Sequence, residues 1–159
     1  VKILIQSNHL DPRVAAEQGI SKVSLETLLK ESDIISMQTS LTPKTYHMLN
    51  ADMLKLIKKD ALLVNIGRGD LIDEEAMIKH LKNGDFRAAL DVYSTDPLVP
   101  DNPIRQEENA ICIPHLGAAT YYCRRELGQE AMDNLKDFLD GKTPRSLQSK
   151  ETVFRMSEH

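Results

Sequence analysis

Four residues of chemically useful type recur at one kind of position along the chain: Arg68, Asp91, Asp96 and His115. Each stands within, or just past the end of, a short apolar run. Arg68 lies between Gly67 and Gly69, after Ala61–Val64 and ahead of Asp73-Glu74-Glu75. That pattern predicts a strand, a flexible turn and a helix with acid in its first turn. Ala61–Val64 has the composition of a strand buried on both faces. Asp91 falls inside the run AALDVY, where an acid is costly unless it has a partner. Asp96 precedes Pro97, and His115 follows Pro114 after the run AICI. Taken singly, a loop arginine is a solvated cation, a loop histidine a polar surface group, and an aspartate before proline ordinary turn chemistry. Only Asp91 resists such a reading. Taken together, a guanidinium, two carboxylates and an imidazole share one edge of a parallel sheet, the edge at which open α/β sheets bind ligands. Their order argues for a site.

The elements that must hold these groups can be read in turn. Val1–Gln6 is a compact apolar run, and Asp11-Pro12 opens a helix that Gly19 stops. Lys22–Ser24 is a candidate short strand, and Ser24 caps a second helix with Leu25, Leu28 and Leu29 on one face. Asp33–Gln38 is the next strand, followed by the polar loop TSLTPKTYH and a helix over Ala51–Lys59 with a basic end. After the Arg68 turn come a helix, Glu74–Lys82, a strand, Ala88–Tyr93, and a proline-rich loop. Ala110–Ile113 is the last strand, and the longest helix runs from about Ala118 to Leu139. Short strands alternating with helices predict the α/β class with a parallel, doubly wound sheet.

The 159 residues are 41% hydrophobic and 28% charged, as in an ordinary globular protein. A net charge of -4 and the lack of a basic stripe argue against a nucleic-acid partner. No apolar run approaches the roughly 18 residues of a membrane span, so no membrane partner is expected. No signal-peptide pattern opens the sequence. Cys112 and Cys123 have no metal-ligand spacing and make no disulfide framework, which leaves a reducing cytoplasm as the expected location.

VNIGRGDLIDEEA, AALDVYSTDP and PHLGAAT, in that order, resemble the nucleotide-binding domain of the D-isomer-specific 2-hydroxyacid dehydrogenases. TSLTPKTYHMLN and DPRVAAEQG fit the same pattern, so the resemblance covers about residues 1–141. It implies a Rossmann-like fold and hydride transfer between NAD or NADP and a small 2-hydroxy or 2-keto acid, such as glyoxylate, hydroxypyruvate or phosphoglycerate. Arg68 matches the arginine that holds the substrate's carboxylate and carbonyl oxygen, a task for a planar bidentate donor. His115 matches the histidine that protonates the carbonyl oxygen, a task for an imidazole titrating near neutrality. Asp96 sits where the family's glutamate orients that histidine. Asp91 matches the residue that bonds the nicotinamide carboxamide. Ser7, Thr39, the backbone of Ile66, Gly67 and Arg68, and that of His115, Leu116, Gly117 and Ala118 fall where the family lines the cofactor.

Three departures accompany the resemblance. Asp96 is one methylene shorter than glutamate. Ser7 replaces the acid that NAD-specific enzymes carry for the adenosine ribose, and with Arg13 nearby this admits NADP. The chain also contains no G-x-G-x-x-G, since Ile72 stands where a third glycine after Gly67 and Gly69 would be. The family's first strand, its glycine-rich loop and its substrate domain are therefore expected to be absent from this sequence. The domain expectation is a partial dinucleotide-binding domain over residues 1–141 and a polar tail over 142–159. The first strand belongs at the centre of the sheet, so its loss opens a gap between VKILIQ and DIISMQ. VKILIQ then crosses to pair with DIISMQ, another chain supplies the strand, or the fold is marginal. Low activity of the chain alone is expected, and a homodimer is the expected assembly. A non-catalytic dinucleotide-binding scaffold, like the family's corepressor relatives, is the alternative.

Overall fold

The structure, a computed structural model, describes residues 1–8 and 10–150. It divides into two compact units, residues 1–114 and 115–159. In the first unit the elements run β1 (Ile3–Ile5), α1 (Pro12–Glu17), β2 (Ile20–Lys22), α2 (Leu25–Glu31), β3 (Ile34–Met37), α3 (Ala51–Leu54), β4 (Leu62–Asn65), α4 (Glu74–Lys82), β5 (Arg87–Leu90) and β6 (Ala110–Cys112). Single 3-10 turns lie at Gly69–Leu71 and Pro103–Gln106. The helix starts follow from their capping residues. Asp11 accepts from the Arg13 N–H, Ser24 from Thr27 and Asp73 from Ala76, each meeting a donor that the first helical turn leaves unpaired.

All strand pairs are parallel. β1 pairs with β2 in a two-stranded sheet, and β3-β4-β5-β6 form a second, four-stranded sheet. Among the described residues β1 does not cross to β3, so that way of closing the gap is not taken. The architecture is a partial Rossmann-like α/β fold, as the alternation of strands and helices predicts.

The register of the larger sheet places Met37, Asn65, Leu90 and Cys112 in one row at its carboxyl edge. Ile35, Met37, Leu63, Ala88 and Leu90 are buried against Leu29 of α2, Leu54 of α3 and Met77, Ile78 and Leu81 of α4. The alternate residues face away and stay open: Leu62 and Val64 are half-buried, and Ile34 is 67% exposed. β4 is thus buried on one face, not on both as its composition suggests.

Other boundaries differ from expectation for local reasons. β2 begins at Ile20, directly after Gly19 turns the chain at φ +70, which leaves Ser24 to act as a cap. α3 stops at Leu54, and the chain winds on through i to i−3 bonds, Leu56 N–H to Met53 O and Ile57 N–H to Leu54 O. That tighter winding stacks residues three apart and puts Leu54 and Ile57 into the core together. β5 covers Arg87–Leu90, so Asp91, Val92 and Tyr93 lie beyond the ladder.

In the second unit α5 runs over Tyr121–Leu139, three residues later than expected, because Thr120 caps it by accepting from the Cys123 N–H. No side chain of α5 is fully buried, and Tyr121, Tyr122, Leu127, Met132, Leu135, Phe138 and Leu139 are exposed. Residues 142–147 return along this helix. The Lys142 N–H donates to Asp137 O, the Arg145 Nε to an Asp137 carboxylate oxygen, and the Ser146 N–H to the Asn134 side chain. The end of the expected polar tail, residues 151–159, lies outside the described residues.

Candidate active site

The Arg68 turn is built by Asn65, the last residue of β4 and fully buried. Its Nδ2 donates to the Arg68 carbonyl at 2.8 Å, and its Oδ1 accepts from the Gly67 N–H at 3.1 Å. Its own carbonyl accepts from the Asp91 N–H at 3.0 Å, which joins the ends of β4 and β5. One side chain therefore closes the turn, and one carbonyl ties it to the next strand. The Arg68 side chain is exposed, with Nη1 donating to the Gly67 carbonyl at 2.9 Å. A methyl placed on Gly67 would lie 3.3 Å from the Thr39 carbonyl, so the turn packs on the backbone that follows β3.

Gly69 is tighter still. A methyl there would fall 1.9 Å from the carbonyl carbon and oxygen of Tyr93, beyond β5. Tyr93 is buried, and its hydroxyl reaches the carbonyls of Leu90 at 3.0 Å and Ile113 at 2.9 Å. Burial pushes the Tyr93 pKa well above the ordinary tyrosine value, with Cys112 beside it adding to the effect. The hydroxyl stays protonated and can donate.

The loop that carries Asp96 is held by Glu74 at the start of α4. The Glu74 carboxylate accepts from the Ser94 N–H at 3.1 Å and from the Asn102 Nδ2 at 2.8 Å. The polar loop after β3 is tied to the far side of the Arg68 turn, through His47 N–H to Asp70 O and Leu49 N–H to Leu71 O.

Thr39, Ile66, Gly67, Arg68 and Asp91 therefore meet at the carboxyl edge of β3, β4 and β5. Asp91 is buried, 5% exposed, and not without a partner. Asp96 is exposed in the loop beyond it. Ser7 stands two residues past β1, at the edge of the other sheet, where its Oγ accepts from the Leu10 N–H. Arg13, the residue read with it, is exposed on α1. His115, Leu116, Gly117 and Ala118 open the second unit and are exposed. His115 has φ +51, a left-handed conformation that is uncommon outside glycine. Among the described residues no three His, Cys, Asp or Glu side chains gather to hold a metal ion.

Asn65, Gly69, Tyr93 and Glu74 shape the site without having been singled out in the sequence. Asn65 carries the signal that exposed Asp91, a polar residue ending an apolar run. Gly69 carries none, because the approach of Tyr93 is set by tertiary packing.

Residues 1–117 match the D-isomer specific 2-hydroxyacid dehydrogenase, NAD binding domain, family. The chain belongs to that family. A glyoxylate reductase of Aeropyrum pernix is 39% identical over 154 residues, which is 96% of this chain and 46% of that protein. A D-lactate dehydrogenase of Lactobacillus jensenii, solved with NAD+, superimposes with a TM-score of 0.84 at 26% identity, covering 94% of this chain and 49% of the other. An acyclic imino acid reductase solved with NADPH and D-Arg gives a TM-score of 0.78 at 30% identity, covering 92% and 46%. The chain thus spans less than half the length of the relatives it matches.

Gly67 packs on the Thr39 backbone beside buried Asp91, at the sheet edge where open α/β folds bind ligands. No glycine-rich turn after a strand is available for the pyrophosphate, since the sequence contains no G-x-G-x-x-G.

Proposed function

We propose that this chain carries the catalytic half of an oxidoreductase that interconverts a small 2-keto acid and its 2-hydroxy acid. Glyoxylate and hydroxypyruvate are the first substrates to test, because glyoxylate is what the Aeropyrum relative's name specifies. NAD or NADP, when bound, supplies or receives the hydride. Arg68 holds the substrate carboxylate and the carbonyl oxygen through its planar fork. His115 gives a proton to that oxygen in reduction and removes it in oxidation. Asp96 orients His115, Asp91 bonds the nicotinamide carboxamide, and Ser7 in place of an acid makes room for NADP. Thr39 and the backbone of Ile66, Gly67, Leu116, Gly117 and Ala118 line the cofactor. A homodimer in the cytoplasm completes the reading.

One observation carries the proposal: the Arg68 turn is built to a fixed shape. Asn65 closes it, Gly69 packs it on Tyr93, and it opens beside buried Asp91 at the ligand-binding edge of a parallel sheet. A solvated loop arginine needs none of that construction.

Turnover of the chain alone is slow, because its sequence contains no G-x-G-x-x-G to cradle a pyrophosphate. The test is reduction of glyoxylate and hydroxypyruvate at several millimolar NADH and NADPH, followed by loss of absorbance at 340 nm. His115→Ala removes the general acid and should lower kcat by about 100-fold or more. Asp96→Asn should lower it less and shift its pH profile. Nucleotide-dependent partner binding without turnover would instead favour a scaffold.

A further inference from the structure

Tyr93 joins three strand ends within the first unit. Its backbone carbonyl lies against Gly69, so tightly that a methyl on Gly69 would fall 1.9 Å from it. Two residues before it is Asp91. Its side chain turns back into the protein, 4% exposed, and places the hydroxyl 3.0 Å from the Leu90 carbonyl and 2.9 Å from the Ile113 carbonyl.

These two acceptors differ. The Leu90 carbonyl already accepts the Ile113 N–H at 2.8 Å, the last backbone bond between the two strand ends. Ile113 lies beyond β6, and its carbonyl is reached by the tyrosine hydroxyl. A hydroxyl has one proton, shared here between the Leu90 carbonyl, which already accepts the Ile113 N–H, and the Ile113 carbonyl. Ionised, it would face two carbonyl oxygens as an anion in a buried setting, with the Asp91 charge close by. Burial first, then Cys112 and the Asp91 charge, hold the group in its donating form. Phenylalanine would fill the same volume and supply no proton, so the hydroxyl has a task that packing does not explain.

We propose that Tyr93 is a positioning residue whose hydroxyl ties the ends of β5 and β6 together. It thereby fixes Ile113 and Pro114, the last residues of the sheet unit before His115. The backbone contact with Gly69 braces the same residue against the Arg68 turn, so one side chain and one carbonyl serve the segments that carry Arg68 and Asp91 and the strand end that precedes His115 in sequence. The kinetic consequence rests on the dehydrogenase reading above. The clamp itself does not.

The test is Tyr93→Phe in the whole chain, which keeps the ring in the core. Backbone hydrogen exchange at Ile113 and His115 should quicken about tenfold, the effect of losing one buried hydrogen bond. Exchange at Leu63 and Leu81 should stay within about twofold. Unchanged exchange at Ile113 and His115, or equal acceleration at all four amides, overturns the clamp. For keto-acid reduction, kcat should fall about tenfold while KM for the acid holds, since Arg68 is untouched. A kcat equal to wild type alongside faster exchange would reduce Tyr93 to a structural role and overturn its positioning role. Absence of turnover in the wild-type chain would defeat the dehydrogenase reading, and the exchange rates would still decide the clamp.

Discussion

Asn65 shows most directly how a residue outside the chemistry shapes it. Its fully buried amide meets one backbone acceptor and one backbone donor of the Arg68 turn. Asn65→Ala removes two part-buried hydrogen bonds, to the Arg68 carbonyl and from the Gly67 N–H, at a cost of about 1–3 kcal/mol for the pair. A denaturant midpoint should drop accordingly with an unchanged slope, and a loss under about 0.5 kcal/mol would mean that water replaces the side chain. Arg68 and Asp91 were legible in the sequence because each breaks an expected pattern, a cation between two glycines and an acid in an apolar run. Asn65 was legible by the same rule and passes easily for the end of a strand. Tyr93 was not, since an aromatic residue closing an apolar run reads as core and only the structure shows where its hydroxyl goes.

At the scale of elements, the caps of α1, α2 and α4 were written plainly in Asp11, Ser24 and Asp73, and those helices start where expected. The ends of α3 and β5 were not, because they depend on partners distant in sequence. β5 ends where its ladder with β6 runs out, and α3 ends where the core asks Leu54 and Ile57 to share a side. The glycine turn after β4 has a cause of the same tertiary kind, and it separates two glycines that look alike in sequence. Gly69→Ala pushes a methyl into the Tyr93 carbonyl, and relieving that overlap moves the Arg68 turn. The expected cost is about 1–3 kcal/mol. Gly128, inside α5, has no atom within 4 Å of an added methyl. Gly128→Ala should therefore stabilise its helix by about 0.5–1 kcal/mol. Paired thermal melts check both, and a Gly69→Ala protein as stable as wild type would contradict the contact.

For the molecule as a whole, the described strands fall into a two-stranded sheet, β1-β2, and a four-stranded sheet, β3-β4-β5-β6. The apolar exposure that results was harder to foresee. Ile34 at 67% and Ile111 at 64% stand on the uncovered face of the larger sheet, where a run such as Ala61–Val64 suggested burial on both sides. A sheet with one open face buries less apolar area to stabilise it. Weak cofactor binding is expected separately, because the sequence contains no G-x-G-x-x-G to take the diphosphate. A ligand held with a millimolar Kd and present at that concentration stabilises by about 0.4 kcal/mol. In a protein of this size that is a rise in Tm of roughly 1–2 °C. Melts in one millimolar NADH and in one millimolar NADPH should therefore each move the transition by no more than this. A rise of about 5 °C or more with one of them would correspond to a Kd in the tens of micromolar or below. Binding that tight would require a diphosphate site built from residues other than a glycine-rich turn. The cofactor that produced it would then also decide whether Ser7 marks a preference for NADP.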